Sequence, residues 1–243
     1  MNDTKKTLFI LPNFIGIKHP DAWLPSFYHP KVEAITAIFC ESFKTAELLI
    51  SRTPLNDNIM LFEVNEHTQW GASSKAINTI FSTHHVIGVL SDAGLPGVAD
   101  PGAKIIALAH KNNWDVEILP GANSMIYALA SSGFNGQKFA FKGYLSIDMK
   151  SKIKQMQTMI NRLEKEDETQ IFMETPYRNV ALLNDLLSHC PEQYELCIAC
   201  NILDNNSWIK TKSIKNWKAF CEQHDINLFI KKKPVVFVLG KSE

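Results

Sequence analysis

The stretch Ser91-Asp92-Ala93-Gly94-Leu95-Pro96-Gly97-Val98-Ala99-Asp100-Pro101-Gly102 holds three glycines, two prolines and two aspartates. Strand-to-helix connections usually run ~2–6 residues, so a longer one with this bias invites a chemical reading. Glycine lets a backbone approach a ligand closely, and proline fixes a loop at low entropic cost. Asp92 is placed to accept hydrogen bonds from a hydroxyl or ammonium group, while Asp100 before Pro101 suits a cap for the following helix. An ordinary strand-to-helix turn is the alternative. Neither Gly-x-x-x-x-Gly-Lys-Ser/Thr nor Gly-x-Gly-x-x-Gly occurs, and the loop is acidic, which counts against nucleotide hydrolysis and dinucleotide redox chemistry.

Two further loops have related character. Leu119-Pro120-Gly121-Ala122-Asn123-Ser124 offers backbone amides and a hydroxyl, or else a helix cap by Asn123 or Ser124. Glu174-Thr175-Pro176-Tyr177-Arg178 has Thr-Pro at a helix start; Glu174 and Arg178 form either a structural pair or a ligand contact. Glu41, ending a strand candidate, is the sequence's best general base, with a solvated strand-end acid as the competing reading. Cys197 and Cys200 have metal or redox spacing without a second pair. On a strand they face opposite sides, which makes them structural thiols. No metal constellation is seen. Residues 205–218 hold four lysines and no acid, with Trp208 and Trp217 interleaved. Lys150, Lys152, Lys154, Lys231, Lys232 and Lys233 extend that basic surface. Lysine neutralises phosphate and tryptophan stacks on bases, but a solvated helix face with core tryptophans fits the same residues.

The elements that must hold these loops alternate. Strand candidates cover residues 7–11, 34–40, 59–64, 86–91 and 116–119, and helix candidates cover residues 43–52, 71–81, 103–112 and 124–132. This alternation predicts crossover units and a mostly parallel sheet. After residue 145 the spacing widens: helix 149–165, strand 170–173, helix 179–188, strand 195–202, helix 215–223 and strand 235–239. The reading is two α/β domains, 1–145 and 146–243, with a boundary near 143–148.

The chain has 243 residues, with Lys+Arg 25 and Asp+Glu 25, so no overall basic field attracts nucleic acid or membrane. With 45% hydrophobic residues and 14 Phe, the composition is that of a globular protein. Five Cys, an odd number, and no signal-like N-terminus predict reduced thiols and a cytoplasmic location. No apolar run approaches a membrane span.

Taken together and in order, these loops resemble the tetrapyrrole-methylase superfamily of S-adenosylmethionine (SAM) methyltransferases. The likeness is strongest to the branch of ribosomal small-subunit RNA cytidine 2′-O-methyltransferases. It is carried by residues 8–16, Asn65-Glu66, residues 91–102, Leu119-Pro120-Gly121, residues 139–145, 174–178 and 235–240. The resemblance implies two α/β domains with a SAM-binding cleft between them, and a homodimer. It implies cofactor contacts from Leu11, Pro12, Asp92, Ala93, Gly94, Leu95, Ser124, Met125, Met173 and Glu174, and ribosomal RNA or the small subunit as partner. Departures cluster away from the cofactor loops. Ile17 follows Gly16 where the family has Asn, and Glu41-Ser42-Phe43-Lys44 replaces Glu-Asp-Thr-Arg. Cys200-Asn201-Ile202-Leu203-Asp204 replaces Arg-Glu-Leu-Thr-Lys, and Lys231-Lys232-Lys233 replaces Lys-Gly-Glu. Methyl transfer from SAM is thus the firmer expectation and the RNA acceptor the weaker one. The alternatives are a tetrapyrrole or other small-molecule methylase, and a non-catalytic SAM-binding protein.

Overall fold

The computed structural model describes residues 5–16, 19 and 24–241, so the departure at Ile17 lies outside the described residues. The chain divides into two compact units, one ending at Asn123 and the other starting at Ser124.

The first unit is a parallel sheet built from β1 (Thr7–Leu11), β2 (Ala37–Cys40), β3 (Met60–Glu63), β4 (Val86–Leu90) and β5 (Asp115–Ile118). Its strand order is β3-β2-β4-β1-β5. Helices α1 (His29–Glu33), α2 (Phe43–Ile50), α3 (Trp70–Thr83) and α4 (Gly102–Lys111) connect the strands. Side chains alternate across the sheet with period two. Phe9, Leu11, Ile38, Cys40 and Leu90 form a core with Val32 of α1 and with Ala46 and Leu49 of α2. Leu8, Ala37, Phe39, Ile87 and Val89 form another with Ile77 and Ile80 of α3 and with Ile105 and Ala109 of α4. The two faces follow from connection direction. From β1 to β2 to β3 the chain moves toward one edge; from β3 to β4 to β5 it returns. Crossovers of one hand then place α1 and α2 on one face and α3 and α4 on the other. The loops leaving β1 and β2 therefore part from the loop leaving β4, which makes a topological switch point at the carboxyl ends of these strands. The strand expected at residues 34–40 begins only at Ala37, because Pro30, at the start of α1, commits the preceding residues to a short helix.

The second unit holds α5 (Ser124–Ser132), β6 (Phe139–Tyr144), α6 (Met149–Glu166), β7 (Thr169–Met173), α7 (Asn179–His189), β8 (Glu195–Cys200), β9 (Trp208–Ser213), α8 (Ile214–Gln223), α9 (Asn227–Ile230) and β10 (Val235–Gly240). Its sheet runs β6-β7-β10-β8-β9; β6 and β7 are parallel and the other pairs antiparallel. Ala128 and Leu129 of α5 cover one face with Ile171, Cys197, Ala199, Val236 and Val238. Helices α6 to α9 cover the other, where Phe172 and Phe237 stack at 5.8 Å. The division after Asn123 lies earlier than the boundary expected near 143–148. Both α5, which buries its apolar side on this sheet, and β6, which pairs with β7, belong to the second unit. Strand β9 was not expected, and its tryptophan is not a free stacking platform. Trp208 lies 4.7 Å from Phe229 and 5.9 Å from the fully buried Trp217, whose indole N–H donates to the Leu196 carbonyl at 2.7 Å.

Candidate functional site

The carboxyl ends of β1, β2, β4 and β5 bring four loops together in the first unit. Leu11, fully buried, ends β1, and Pro12 and Asn13 follow it. The Asn13 side chain is buried. Its Nδ2 donates to the carbonyls of Ser91 (2.8 Å) and Asp92 (3.2 Å), and its Oδ1 accepts the Phe14 N–H at 2.7 Å. The Asn13 N–H donates to the Gly94 carbonyl at 2.8 Å. One residue thus fastens the exit of β1 to the exit of β4.

From β2, the Glu41 N–H donates to the Leu90 carbonyl, and the Glu41 carboxylate accepts the Asp92 N–H at 3.0 Å. Ser42 caps α2 by accepting the Thr45 N–H, and its hydroxyl donates to Asp92 Oδ1 at 2.8 Å. The Asp92 backbone is therefore held on both sides while its side chain stays exposed. Burial is the main cause that lifts the Glu41 carboxyl above its ordinary range. The Asp92 N–H opposes it, and the charges of Asp92, Asp100 and Glu66 add to it.

The rest of the loop is self-supporting. The Ser91 hydroxyl donates to the Ala93 carbonyl at 3.1 Å. The Asp100 carboxylate accepts the N–H groups of Gly97, Val98 and Gly102, so it caps the start of α4 as expected. Gly94 sits at φ +72°, and a Cβ there would lie 3.0 Å from Ile15 and 3.2 Å from the Ala122 carbonyl. Gly121 lies so close to Pro12 that a Cβ would stand 2.0 Å from the proline Cβ. Only glycine admits these approaches. Asp92, Ala93, Gly94, Leu95, Leu11, Pro12 and Glu41 are therefore brought together.

The remaining expected contacts lie in the second unit. Ser124 begins α5. Met125 and Met173 both pack against the α5 side of the sheet. Glu174 is buried and engaged locally: its Oε1 accepts from the Thr175 N–H at 2.6 Å and from Arg178 Nε and Nη2 at 3.0 and 2.6 Å. The structural Glu–Arg pair is what the structure contains.

Other candidates resolve simply. Cys197 and Cys200 point into opposite cores as free thiols. Burial pushes the thiols of Cys40 and Cys190 up to about 12 and that of Cys200 up to about 11. Among the described residues no group of His, Cys, Asp and Glu could hold a metal. Lys152 is buried in an ion pair with Asp185 at 2.7 Å and leaves the basic surface. Asn13 and Ser42 were missed as functional residues. Ser42 carried a visible signal, a Ser three residues before Thr45 at a helix start. Asn13 carried none, since its partners are some 78 residues away.

The donor set suits an organic ligand bearing hydroxyl or ammonium groups. Asp92 offers an exposed carboxylate on a pinned backbone, and Gly94 lets the loop pack closely against Ile15 and the Ala122 carbonyl beside it.

The family model described as Tetrapyrrole (Corrin/Porphyrin) Methylases matches residues 31–207. A relative from Synechocystis, named ribosomal RNA small subunit methyltransferase I, is 33% identical over 56% of this chain and 47% of its own length. The chain thus spans about half the length of such curated relatives. Among solved structures, that of diphthine synthase superposes with a TM-score of 0.66 at 13% identity, covering 98% of this chain and 91% of that one. Uroporphyrin-III C-methyltransferase from Thermus thermophilus, complexed with S-adenosyl homocysteine, gives 0.55 at 11% identity, covering 97% of each chain. With most of its length inside the family model, and with both units matched in fold, this chain belongs to the tetrapyrrole (corrin/porphyrin) methylases.

Proposed function

We propose that the chain is a SAM-dependent methyltransferase acting on small-subunit ribosomal RNA, with a ribose 2′-hydroxyl as acceptor. The observation that carries this is the pinned, exposed Asp92 at the switch point of the parallel sheet, in a chain of this family. The names of the curated relatives support the RNA acceptor. The S-adenosyl homocysteine in a structural neighbour supports the donor.

When bound, SAM supplies a methyl group on an already activated sulfonium sulfur. The protein's task is then orientation, since alignment is the larger part of such a barrier. Asp92 accepts hydrogen bonds from the donor's hydroxyl or ammonium groups, and Asn13, Ser42 and Glu41 keep Asp92 in place. Leu11, Pro12, Ala93 and Leu95 supply apolar and backbone surface around Gly94. From the second unit we assign Ser124, Met125 and Met173 as further contacts, with Glu174 contributing through the loop it braces. Glu41 is the candidate base for the acceptor hydroxyl, its raised proton affinity suiting proton transfer nearer neutrality.

A second reading is methylation of a tetrapyrrole or other small molecule. The altered residues at Ser42-Phe43-Lys44 and 200–204 favour it, as do the small-molecule methylases among the structural neighbours. A non-catalytic SAM-binding role is the third. We further propose a homodimer in the cytoplasm. Among the described residues no helix is long and apolar enough to cross a membrane.

Incubation with radiolabelled SAM and small ribosomal subunits from a methylation-deficient strain tests the reading. Label in the RNA, released as a 2′-O-methyl nucleoside, is the expected result. SAM binding with no label in the RNA would reject the ribosomal acceptor.

A further inference from the structure

The sequence Lys231-Lys232-Lys233 forms the turn between α9 and β10, and it is fastened with unusual care. The Lys232 N–H donates to the Pro176 carbonyl at 2.9 Å. The fully buried Asn179, first residue of α7, donates through Nδ2 to the carbonyls of Lys233 (2.7 Å) and Ile230 (3.3 Å). Lys232 itself is at φ +59°, a left-handed conformation that side chains other than glycine adopt only at a cost. Such strain persists where the surroundings over-determine it.

The turn presents charge without compensation. Among the described residues, no ion pair involves Lys231, Lys232 or Lys233. Asp225, whose carboxylate feels the charge of Lys231, is engaged chiefly with Asn227. Lys233 Nζ rests on the Leu228 carbonyl at 2.8 Å. Beside the lysines stand two large exposed surfaces. Tyr177 is 79% exposed, with Lys232 Nζ 5.8 Å from its ring centroid, and Leu228 is 73% exposed.

A row of uncompensated cations next to an open aromatic face suits one partner chemistry above others. Lysines take phosphates, and an exposed ring stacks on an unpaired base. We propose that residues 231–233 with Tyr177 form a docking surface for single-stranded RNA, the phosphates on the lysines and a base on the tyrosine. This rests on the methyltransferase reading for its biological sense, and it deepens it. Tyr177 lies on the loop that leaves β7 just after Met173 and that carries Glu174, so RNA held here is held beside residues assigned to the donor. The patch also replaces residues 205–218 as the basic-aromatic surface, since Trp208 and Trp217 are spent on core packing.

The test compares the full chain with two variants by fluorescence anisotropy on a short fluorescein-labelled single-stranded RNA across a salt series. The first variant combines Lys231→Ser, Lys232→Gly and Lys233→Ser; glycine keeps the left-handed turn. Its affinity should fall about 10-fold or more at low salt, and the slope of log affinity against log salt should lessen by about 2, given ~0.7 per phosphate on single strands. Tyr177→Ala should weaken binding about 10-fold with the salt slope unchanged. Thermal melts report whether each variant is folded. If both folded variants bind RNA as the parent does, the proposal is wrong. It is equally wrong if the lysine variant loses binding to phosphatidylserine vesicles but not to RNA, which would make the patch a membrane contact. Calorimetric titration of the same proteins with SAM separates the two claims. The lysine variant should bind SAM like the parent. A parent that takes up no SAM counts against the methyltransferase reading, while the RNA comparison still decides the patch.

Discussion

At the scale of single residues, Asn13 and Glu41 do different work around the same carboxylate. Asn13 is buried and donates to two carbonyls, that of Ser91 in a fully buried bond and that of Asp92 in a partly buried one, so Asn13→Ala removes the side-chain donor of both. A loss of about 1–3 kcal/mol is expected in urea denaturation, since an unsatisfied buried acceptor costs its desolvation, together with weaker SAM binding. Stability within a few tenths of the parent would show that the two exits are held by other means. For Glu41, burial outweighs the Asp92 N–H, so its proton affinity is higher in the folded state than the ordinary glutamate value of 4.5. The folded chain then binds more protons than the unfolded one over a window that starts near that value and ends at the folded pKa. Stability falls as pH rises through the window and is level above it. Glu41→Gln has no such titration and still offers an oxygen to the Asp92 N–H. Its advantage over the parent should therefore grow from about pH 4 upward and then level off, as followed by urea midpoints. A gap that is the same at every pH would contradict the assigned burial effect. Methyl transfer by the same variant separates base from brace: loss of turnover with intact SAM affinity marks Glu41 as the base.

At the scale of elements, the loop after β4 depends on a backbone conformation and on near contact. Gly94→Ala places a methyl 3.0 Å from Ile15 and 3.2 Å from the Ala122 carbonyl at φ +72°. The left-handed penalty alone is about 1–2 kcal/mol, so a lowered melting temperature and loss of SAM affinity are expected together. An unchanged melt would mean that the loop relaxes freely.

The elements also show how much was legible beforehand. Strand β1 and helix α5 were readable to the residue, because a short apolar run and an apolar helix have distinct periods. The loop with Asp92 stood out by composition alone. Strand β9 was missed because Lys210 and Lys212 share a face with Trp208, so the run read as a charged helix face and not as alternation. Strand β6 was not separately assigned; its regular pairing breaks between Phe141 and Tyr144, where Gly143 takes φ +67°. For Glu174 the sequence left a structural pair with Arg178 and a ligand contact both open; the structure contains the pair, at 2.6 Å, and an i,i+4 pair is compatible with either role.

At the scale of the whole molecule, a formal net charge of zero leaves no general field to draw in RNA. Any RNA affinity must then come from a local surface, as the turn at residues 231–233 supplies. The thiols make a global prediction. Four of the five cysteines are buried, and burial raises the proton affinity of every one of them, which suppresses the reactive thiolate. A thiol reagent at mildly alkaline pH should label no more than Cys221 in the native chain and all five after denaturation. Rapid native labelling of several thiols would contradict the packing of both units. The central claim is that the loop at Asp92 grips a sulfonium donor, and isothermal titration of SAM into the parent and Asp92→Ala addresses it most directly. The account predicts saturable binding by the parent and at least ~10-fold weaker binding by the variant, as befits a lost charge-assisted hydrogen bond, with both proteins melting alike. Equal affinity in the two proteins, or no uptake by the parent, would contradict it.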